Sequence, residues 1–446
     1  MVEGPALIAL LLLAIAFIAA GIAWLKLHPF MALLLATIGL GLSAGLGADT
    51  VLIAMQTGFG NLMSSIGMVV VLGSIIGTIL EKSGAALRMA DWLLRLTGAG
   101  RSALAMSLIG LVVSIPVFCD TGFIILSKLN QALSQRSSVA RGTLALALAS
   151  GLYTTHTLVP PTPGPIAAAA NLGAGDYLGA VMLTGLVIAI PTALVALLLA
   201  KFFGKSIAVS EPSNHTISSP SELPGLGKTL LPLTLPILLI ALASIGKMQH
   251  WEGAWVPVLY FAGHPIMALL IGVLAALPLM KRFDQEHLTG WMGEGIQAAG
   301  PILIITGAGG ALGEIVKATS LKDWVAAWVS GGTMGGSGLL LIAFGMAALL
   351  KTAQGSSTSA LIITSSILAP LTALAGMDTP MELALLVMAI GGGAMTVSHA
   401  NDSYFWVVTQ FSGIAVKDAY RSYTIITLAQ GLCVLALSLL GYSLLD

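Results

Sequence analysis

The chain has 446 residues, of which 57% are hydrophobic and 9% charged, and its mean hydropathy is +0.97. Soluble globular proteins carry about a quarter of their residues as charged side chains, so an ordinary cytosolic enzyme is excluded. The 19 basic residues are balanced by 19 acidic ones, which leaves no basic stripe for nucleic acid. The composition is that of an integral membrane protein.

The apolar opening from Pro5 to Ala23 follows Glu3 rather than a basic residue and leads straight into further apolar spans. It reads as a first transmembrane helix and not as a secretory leader. Crossing the hydrocarbon core takes roughly 20 apolar residues. Stretches of that kind lie near 5–25, 29–47, 61–80, 142–160, 178–200, 229–246, 265–280, 296–313, 383–400 and 422–444. Two more, near 103–135 and 337–370, are interrupted by polar and Gly-rich breaks. Cys119 and Cys433 are far apart in apolar segments and define neither a disulfide framework nor a metal cluster.

The sequence repeats itself. HPFMALL at 28–34 returns as HPIMALL at 264–270, an offset of 236. Gly73 and Gly77 return as Gly309 and Gly313, and Trp92 as Trp328, at the same offset. Each half then runs through a broken apolar hairpin, a long apolar segment with a polar interruption, and a closing helix. The expected fold is all-α and polytopic, an N-terminal repeat over 1–205 and a C-terminal repeat over 229–446. Pro/Ser-rich residues 206–228 join them as a linker. With five transmembrane helices plus one re-entrant hairpin per half, the odd count makes the repeats inverted. That topology puts 15 of the 19 basic residues on one face and leaves Lys247, Lys317 and Lys322 on the other, with Lys351 inside a hairpin. The positive-inside rule then makes the first face cytoplasmic and places both termini outside. Full double crossings in place of re-entrant hairpins would give the same sidedness.

Ionisable groups at membrane depth are costly and mark function. Five stand out: Asp120, His156, Lys351, His399 and Asp402, distributed over four repeat-related breaks. PVFCDTGF (116–123) supplies Asp120, Thr121 and Gly122; THTLVPPTPGP (155–165) supplies His156, Thr162 and Gly164. KTAQGSSTS (351–359) supplies Lys351, Gln354, Gly355, Ser356, Ser357 and Thr358, and SHANDSYFW (398–406) supplies His399, Asn401, Asp402 and Ser403. Pro and Gly stop the helices there, and unwound backbone is tolerated at depth only where protein or a water-filled cavity satisfies it. A half-helix beginning after a break offers free N–H groups and a positive dipole end, which suits a carboxylate. These segments predict a midplane site for a small, anionic, hydroxylated ligand. A structural Asp120–Lys351 ion pair is the competing account of two of the charges, and the Gly73/Gly77 and Gly309/Gly313 pairs read as close-packing faces.

FCDTGFIIL, HTLVPPTPGPIAAA, KTAQGSSTSA and SHANDSYFW together resemble the gluconate permease (GntP) family of proton-coupled sugar-acid transporters, with Cys119 as the departure beside the retained carboxylate. The resemblance runs over nearly the whole chain. It implies the ion-transporter superfamily architecture: a scaffold of residues 5–100 and 229–335, a moving transport domain of 103–200 and 337–446, an elevator motion and a homodimer in the bacterial cytoplasmic membrane. The expected function is proton symport of gluconate or a related hydroxy acid, with no cofactor or metal and the proton gradient as energy source. Thr162, Ser356, Ser357, Thr358, Asn401 and Ser403 are expected to bind substrate together with Thr121, Gly122, His156, Gly164, Gln354, Gly355, Asp402 and the charge of Lys351. Asp120 is the first candidate for the coupling proton and Asp402 the second, with His156 and His399 as relays. D-serine or another small carboxylate is the alternative cargo, and sodium the alternative coupling ion. A passive channel and an intramembrane hydrolase are further rivals, the latter weakened by the absence of an H-E-x-x-H motif or a readable nucleophile–base pair.

Overall fold

The computed structural model describes residues 2–98, 101–136, 139–207, 209, 223–249, 251–280, 285–320, 335–399 and 402–445. Asn401, Lys322, Trp328 and most of the 206–228 linker therefore lie outside the described residues. Within them the chain is helical, apart from short 3-10 and π turns and one isolated bridge between Val209 and Ile414.

The first half comprises α1 (Pro5–Ala23), α2 (Pro29–Ser43), α3 (Ala48–Lys82) and α4 (Ala85–Thr97). A hairpin of α5 (Ser102–Val113) and α6 (Cys119–Arg136), a broken pair of α7 (Arg141–Leu158) and α8 (Pro163–Asn171), and α9 (Leu178–Gly204) follow. The second half repeats that order. It has α10 (Leu226–Met248), the bent pair α11 (Val256–Ala262) and α12 (Pro265–Ala276), and α13 (Trp291–Ala318). Then come a hairpin of α14 (Gly336–Gln354) and α15 (Ser357–Leu368), a broken pair of α16 (Pro380–Met395) and α17 (Ser403–Ser412), the short α18 (Val416–Arg421), and α19 (Tyr423–Ser443).

The punctuation is local. His28 caps α2, accepting from the Phe30 N–H ahead of Pro29, and Thr379 with Glu382 forms a reciprocal capping box at the start of α16. Gly355 ends α14 with a φ of 88°, a left-handed conformation that favours glycine over residues with a Cβ. Among the described residues, five helices are long and apolar enough to cross a membrane, or seven when α3 and the α11–α12 pair each count as one bent span. That is fewer than the ten uninterrupted spans expected. Breaks shorten the segments expected at 142–160 and 383–400, so that α7 and α16 end at Leu158 and Met395 and each is followed by a separate half-helix.

Two helices exceed the expected spans: α3 extends N-terminally to Ala48 and α13 to Trp291, and they pack on one another. Gly58 and Gly310 meet backbone to backbone, so a Cβ on either would overlap the other's carbonyl. Near the other end a Cβ on Gly295 would lie 2.7 Å from the Ile75 Cα, and Lys82 pairs with Glu294 at 2.6 Å. Rising numbers on α3 thus meet falling numbers on α13: the two helices are antiparallel. Shifting the 58–310 contact by the 236-residue offset gives 294–74, one residue from the observed 295–75 contact.

At the centre lie the first members of the broken pairs. Residues 142–158 of α7 and 383–395 of α16 are buried on every side. Three hydroxyls of α7 are absorbed within the helix: Ser150 donates to Leu146 O at 2.8 Å, Thr154 to Ser150 O at 2.8 Å and Thr157 to Tyr153 O at 3.1 Å. Of the two helices, α7 brings Tyr153 and His156 to the site, and the break after α16 brings Asp402, Ser403 and Tyr404.

Candidate functional site

Three half-helices begin at one cavity. Cys119 and Asp120 open α6 at the tip of the first hairpin; Gly355, Ser356, Ser357 and Thr358 open α15 at the tip of the second; Asp402, Ser403 and Tyr404 open α17 after the second break. Phe118, Tyr153 and His156 complete the lining of a cavity of about 320 Å³, within the range of small-molecule sites. Two of the N-termini are capped from within: Ser356 Oγ accepts from Ser359 N at 3.2 Å, and Asp402 Oδ1 from Tyr404 N at 3.0 Å. Three positive helix ends around one polar cavity make a seat for an anion.

The charges divide into a pair and a single. Lys351 Nζ lies 2.7 Å from Asp402 Oδ2, with the two side chains 0% and 5% exposed. Lys351 also donates to Gly355 O, and its ammonium sits 5.7 Å from the centroid of the Tyr153 ring. The ion pair of this site therefore joins Lys351 to Asp402 and not to Asp120, which corrects the pairing considered from sequence. Lys351 stands four positions before Gly355, one helical turn, so its side chain folds along the end of α14 toward the second break. Asp120 has a different environment: its Oδ1 has no hydrogen-bond partner among the described residues, and its Oδ2 accepts from the Cys119 thiol at 3.9 Å. His156 is 7% exposed, packs against Phe118 with ring centroids 6.2 Å apart, and leaves Nδ1 without a partner.

Eight of the residues singled out from sequence line this cavity: Asp120, His156, Gly355, Ser356, Ser357, Thr358, Asp402 and Ser403. Others are directed elsewhere. Thr162 donates its hydroxyl to Val159 O at 2.5 Å and borders a separate crevice with Gly73, Ser74 and Pro116. Gly164 packs on Thr358 and Leu361, and Gly122 on Leu152, so both allow close helix approach. Thr121 is half-buried in the first turn of α6. His399 turns to the Thr352 carbonyl, 3.1 Å from its Nε2. Gln354 closes α14, and its side chain is outside what is described.

Sequence reasoning passed over Phe118, Cys119, Tyr153 and Tyr404 as lining. Tyr153 had a signal, standing three residues before His156 and hence on the same helix face. No local signal marked the groups that hold the second break. Ser398 donates to Asp402, while its backbone N–H donates to Thr427 Oγ1 at 3.0 Å and its carbonyl accepts from Thr424 Oγ1 at 2.6 Å. Gln430 fastens α19 to α7 through Ser150 O at 3.0 Å and Thr154 Oγ1 at 2.6 Å. These partners come from a helix 26 or more residues away in sequence.

Residues 6–444 match the family model described as GntP family permease. The gluconate permease of Pseudomonas aeruginosa is 31% identical over 415 residues, covering 90% of this chain and 89% of that one. The D-serine transporter DsdX of Escherichia coli O6:H1 is 31% identical over 435 residues, with 96% of each chain covered. The Gnt-II system L-idonate transporter of Escherichia coli K12 is 29% identical over 425 residues, covering 92% and 94%. In fold, the chain resembles the YdaH transporter of Alcanivorax borkumensis (TM-score 0.60, 14% identity, 98% of each chain). It also resembles Neisseria gonorrhoeae MtrF (TM-score 0.63, 16% identity, 95% and 96%).

Proposed function

Because the chain belongs to the GntP family of permeases, we propose that it imports a small hydroxylated carboxylate, a sugar acid of the gluconate type, together with protons across a bacterial cytoplasmic membrane. The proteins it resembles are permeases and transporters rather than enzymes. The cargoes for which these relatives are named, gluconate, L-idonate and D-serine, share a carboxylate and at least one hydroxyl. The observation that carries the reading is the cavity itself: three helix N-termini and the hydroxyls of Ser356, Ser357, Thr358 and Ser403 surround a carboxyl, Asp120, that has a partnerless oxygen.

The mechanism follows from charge. The Lys351–Asp402 pair is neutral as a unit. Ionised Asp120 repels an incoming anion; protonated Asp120 does not. Cargo carboxylate and proton therefore load together. The hydroxyl groups bind cargo hydroxyls, and His156, next to the cavity and with a free ring nitrogen, passes protons to Asp120.

Movement between the two sides is proposed as an elevator between inverted repeats. The antiparallel α3 and α13 and their offset-related contacts support the inversion. The asymmetry of the glycine pairs supports the motion. Gly77 abuts Pro116 and Gly73 abuts Pro161, at the tip of the first hairpin and in the first break. Gly313 and Gly309 instead abut Ser366 and Ile362, well along α15 from its tip. At 1.5 Å per residue the nine residues from Ser357 to Ser366 span on the order of 14 Å. Exchanging the roles of the repeats yields the opposite state: Leu126 and Asn130 of α6 against Gly73 and Gly77, and the second tip against Gly313. In this proposal residues 5–100 and 229–335 are the scaffold, 103–200 and 337–446 the transport domain, the protomer associates as a homodimer, and both termini lie outside.

Reconstituted protein decides the coupling. Concentrative uptake of labelled gluconate, L-idonate or D-serine driven by an inward proton gradient supports the reading. Uptake driven by a sodium gradient with the proton gradient collapsed refutes the choice of ion, and equilibration without accumulation refutes active transport.

A further inference from the structure

We propose that Lys351 is a positioning residue that holds Asp402 as a fixed anion, leaving Asp120 as the one carboxyl of the cavity that exchanges a proton, so that one proton accompanies each substrate carboxylate. This rests on the transport reading above and assigns the roles that reading leaves shared between the two carboxyls.

The two carboxyls differ in their donors and acceptors. Among the described residues, each hydrogen-bond partner of the Asp402 carboxylate donates to it: Lys351 Nζ at 2.7 Å, the Tyr404 N–H at 3.0 Å and the Ser398 hydroxyl. A carboxylate accepts only, whereas a carboxylic acid must place its own proton on an acceptor. Protonating Asp402 would displace a donor and strand the Lys351 charge, which is buried completely. Asp120 offers the opposite case. Its Oδ1 has no partner among the described residues, and the Cys119 thiol donates to Oδ2 at 3.9 Å, so a proton on Oδ1 evicts no donor.

The remaining groups do not alter this division. Asp120 and Cys119 face Asp402 from α6, Tyr153 and His156 from α7, Lys351 from α14 and Tyr423 from α19. Tyr404 adjoins it in its own segment, and His399, three residues before, is engaged with Thr352 O. Lys351 is the cation of this set that is paired at hydrogen-bond distance. Its ammonium is also held by Gly355 O over the Tyr153 ring, and the cavity lining is formed by the residues in front of it. Lys351 thus acts on the cargo through Asp402 and the α15 N-terminus, which it braces, and not by touching the cargo carboxylate.

The test is a double-variant cycle in proteoliposomes with Lys351→Met, Asp402→Asn and the two combined, reading radiolabelled gluconate uptake, protons moved per gluconate, and thermal unfolding. Wild type is expected to move one proton per gluconate. Each single variant should lose uptake by about 100-fold, since it leaves one charge buried without its partner. The double variant should regain at least about tenfold of that loss, keep the one-proton ratio, and unfold at a higher temperature than the less stable single variant. A folded double variant no better than Lys351→Met overturns the proposal and makes Lys351 a direct cargo ligand. An Asp120→Asn protein that still moves one proton per gluconate overturns it equally. Wild type that accumulates none of gluconate, L-idonate or D-serine defeats the transport reading instead, and the unfolding cycle then still reports whether the pair is coupled.

Discussion

Gly58 of α3 and Gly310 of α13 touch through their backbones, each occupying the space where the other's Cβ would stand. The contact lies on the longest helices of the two halves, 35 and 28 residues, so it sets how closely the repeats join. Gly58→Leu or Gly310→Leu must separate the helices and should destabilise by about 1–3 kcal/mol, the usual cost of overpacking. Gly60→Ala, where a Cβ meets nothing within 4 Å, is the matched control. Thermal unfolding in detergent should show a clear drop for the first two and almost none for the third.

Asp120→Asn keeps the size of the side chain and removes its charge change. Substrate-driven proton influx into vesicles should vanish, and exchange of labelled for unlabelled cargo should lose its dependence on external pH. Proton influx equal to wild type would eliminate Asp120 as the carrier.

Engineered cysteines test the proposed elevator motion. A Cβ on Gly73 would lie 3.6 Å from the Pro161 Cβ, a separation suited to a disulfide. With Cys119 and Cys433 replaced, Gly73→Cys/Pro161→Cys should cross-link and stop uptake, with recovery on reduction. Gly73→Cys/Leu126→Cys should cross-link in the opposite state. If the second pair never forms while the protein is cycling, the repeat-exchange geometry is wrong.

Asn171 joins α8 to α15 by donating to Ile362 O at 3.2 Å, Ser365 Oγ at 2.8 Å and Ser366 Oγ at 2.9 Å. Asn171→Leu removes every one of these donors from a half-buried junction. It should cost about 1–3 kcal/mol of stability, read as a lower unfolding temperature, and uptake should fall with it. An unchanged melting curve would show that water replaces the amide.

The sequence by itself determined the membrane class and the four breaks, because each is written in local composition: apolar runs, Pro and Gly stops, and polar residues where lipid forbids them. It also brought Asp120, His156, Lys351 and Asp402 forward, since charge at membrane depth is conspicuous wherever it falls. Which charges pair was decided only by the tertiary structure. Lys351 is 231 residues from Asp120 and 51 from Asp402 in the numbering, and neither spacing encodes a distance when the segments belong to different breaks. Folding brings the end of α14 against the second break, where α19 supplies Thr424 and Thr427 to hold Ser398, and that packing aims the ammonium at Asp402. The same packing turns Thr162 and Gly164 away from the cavity and brings Tyr153 into it. Local sequence records which groups must be satisfied inside a membrane; the partner that satisfies each is chosen by long-range packing of helices that carry no mark of one another.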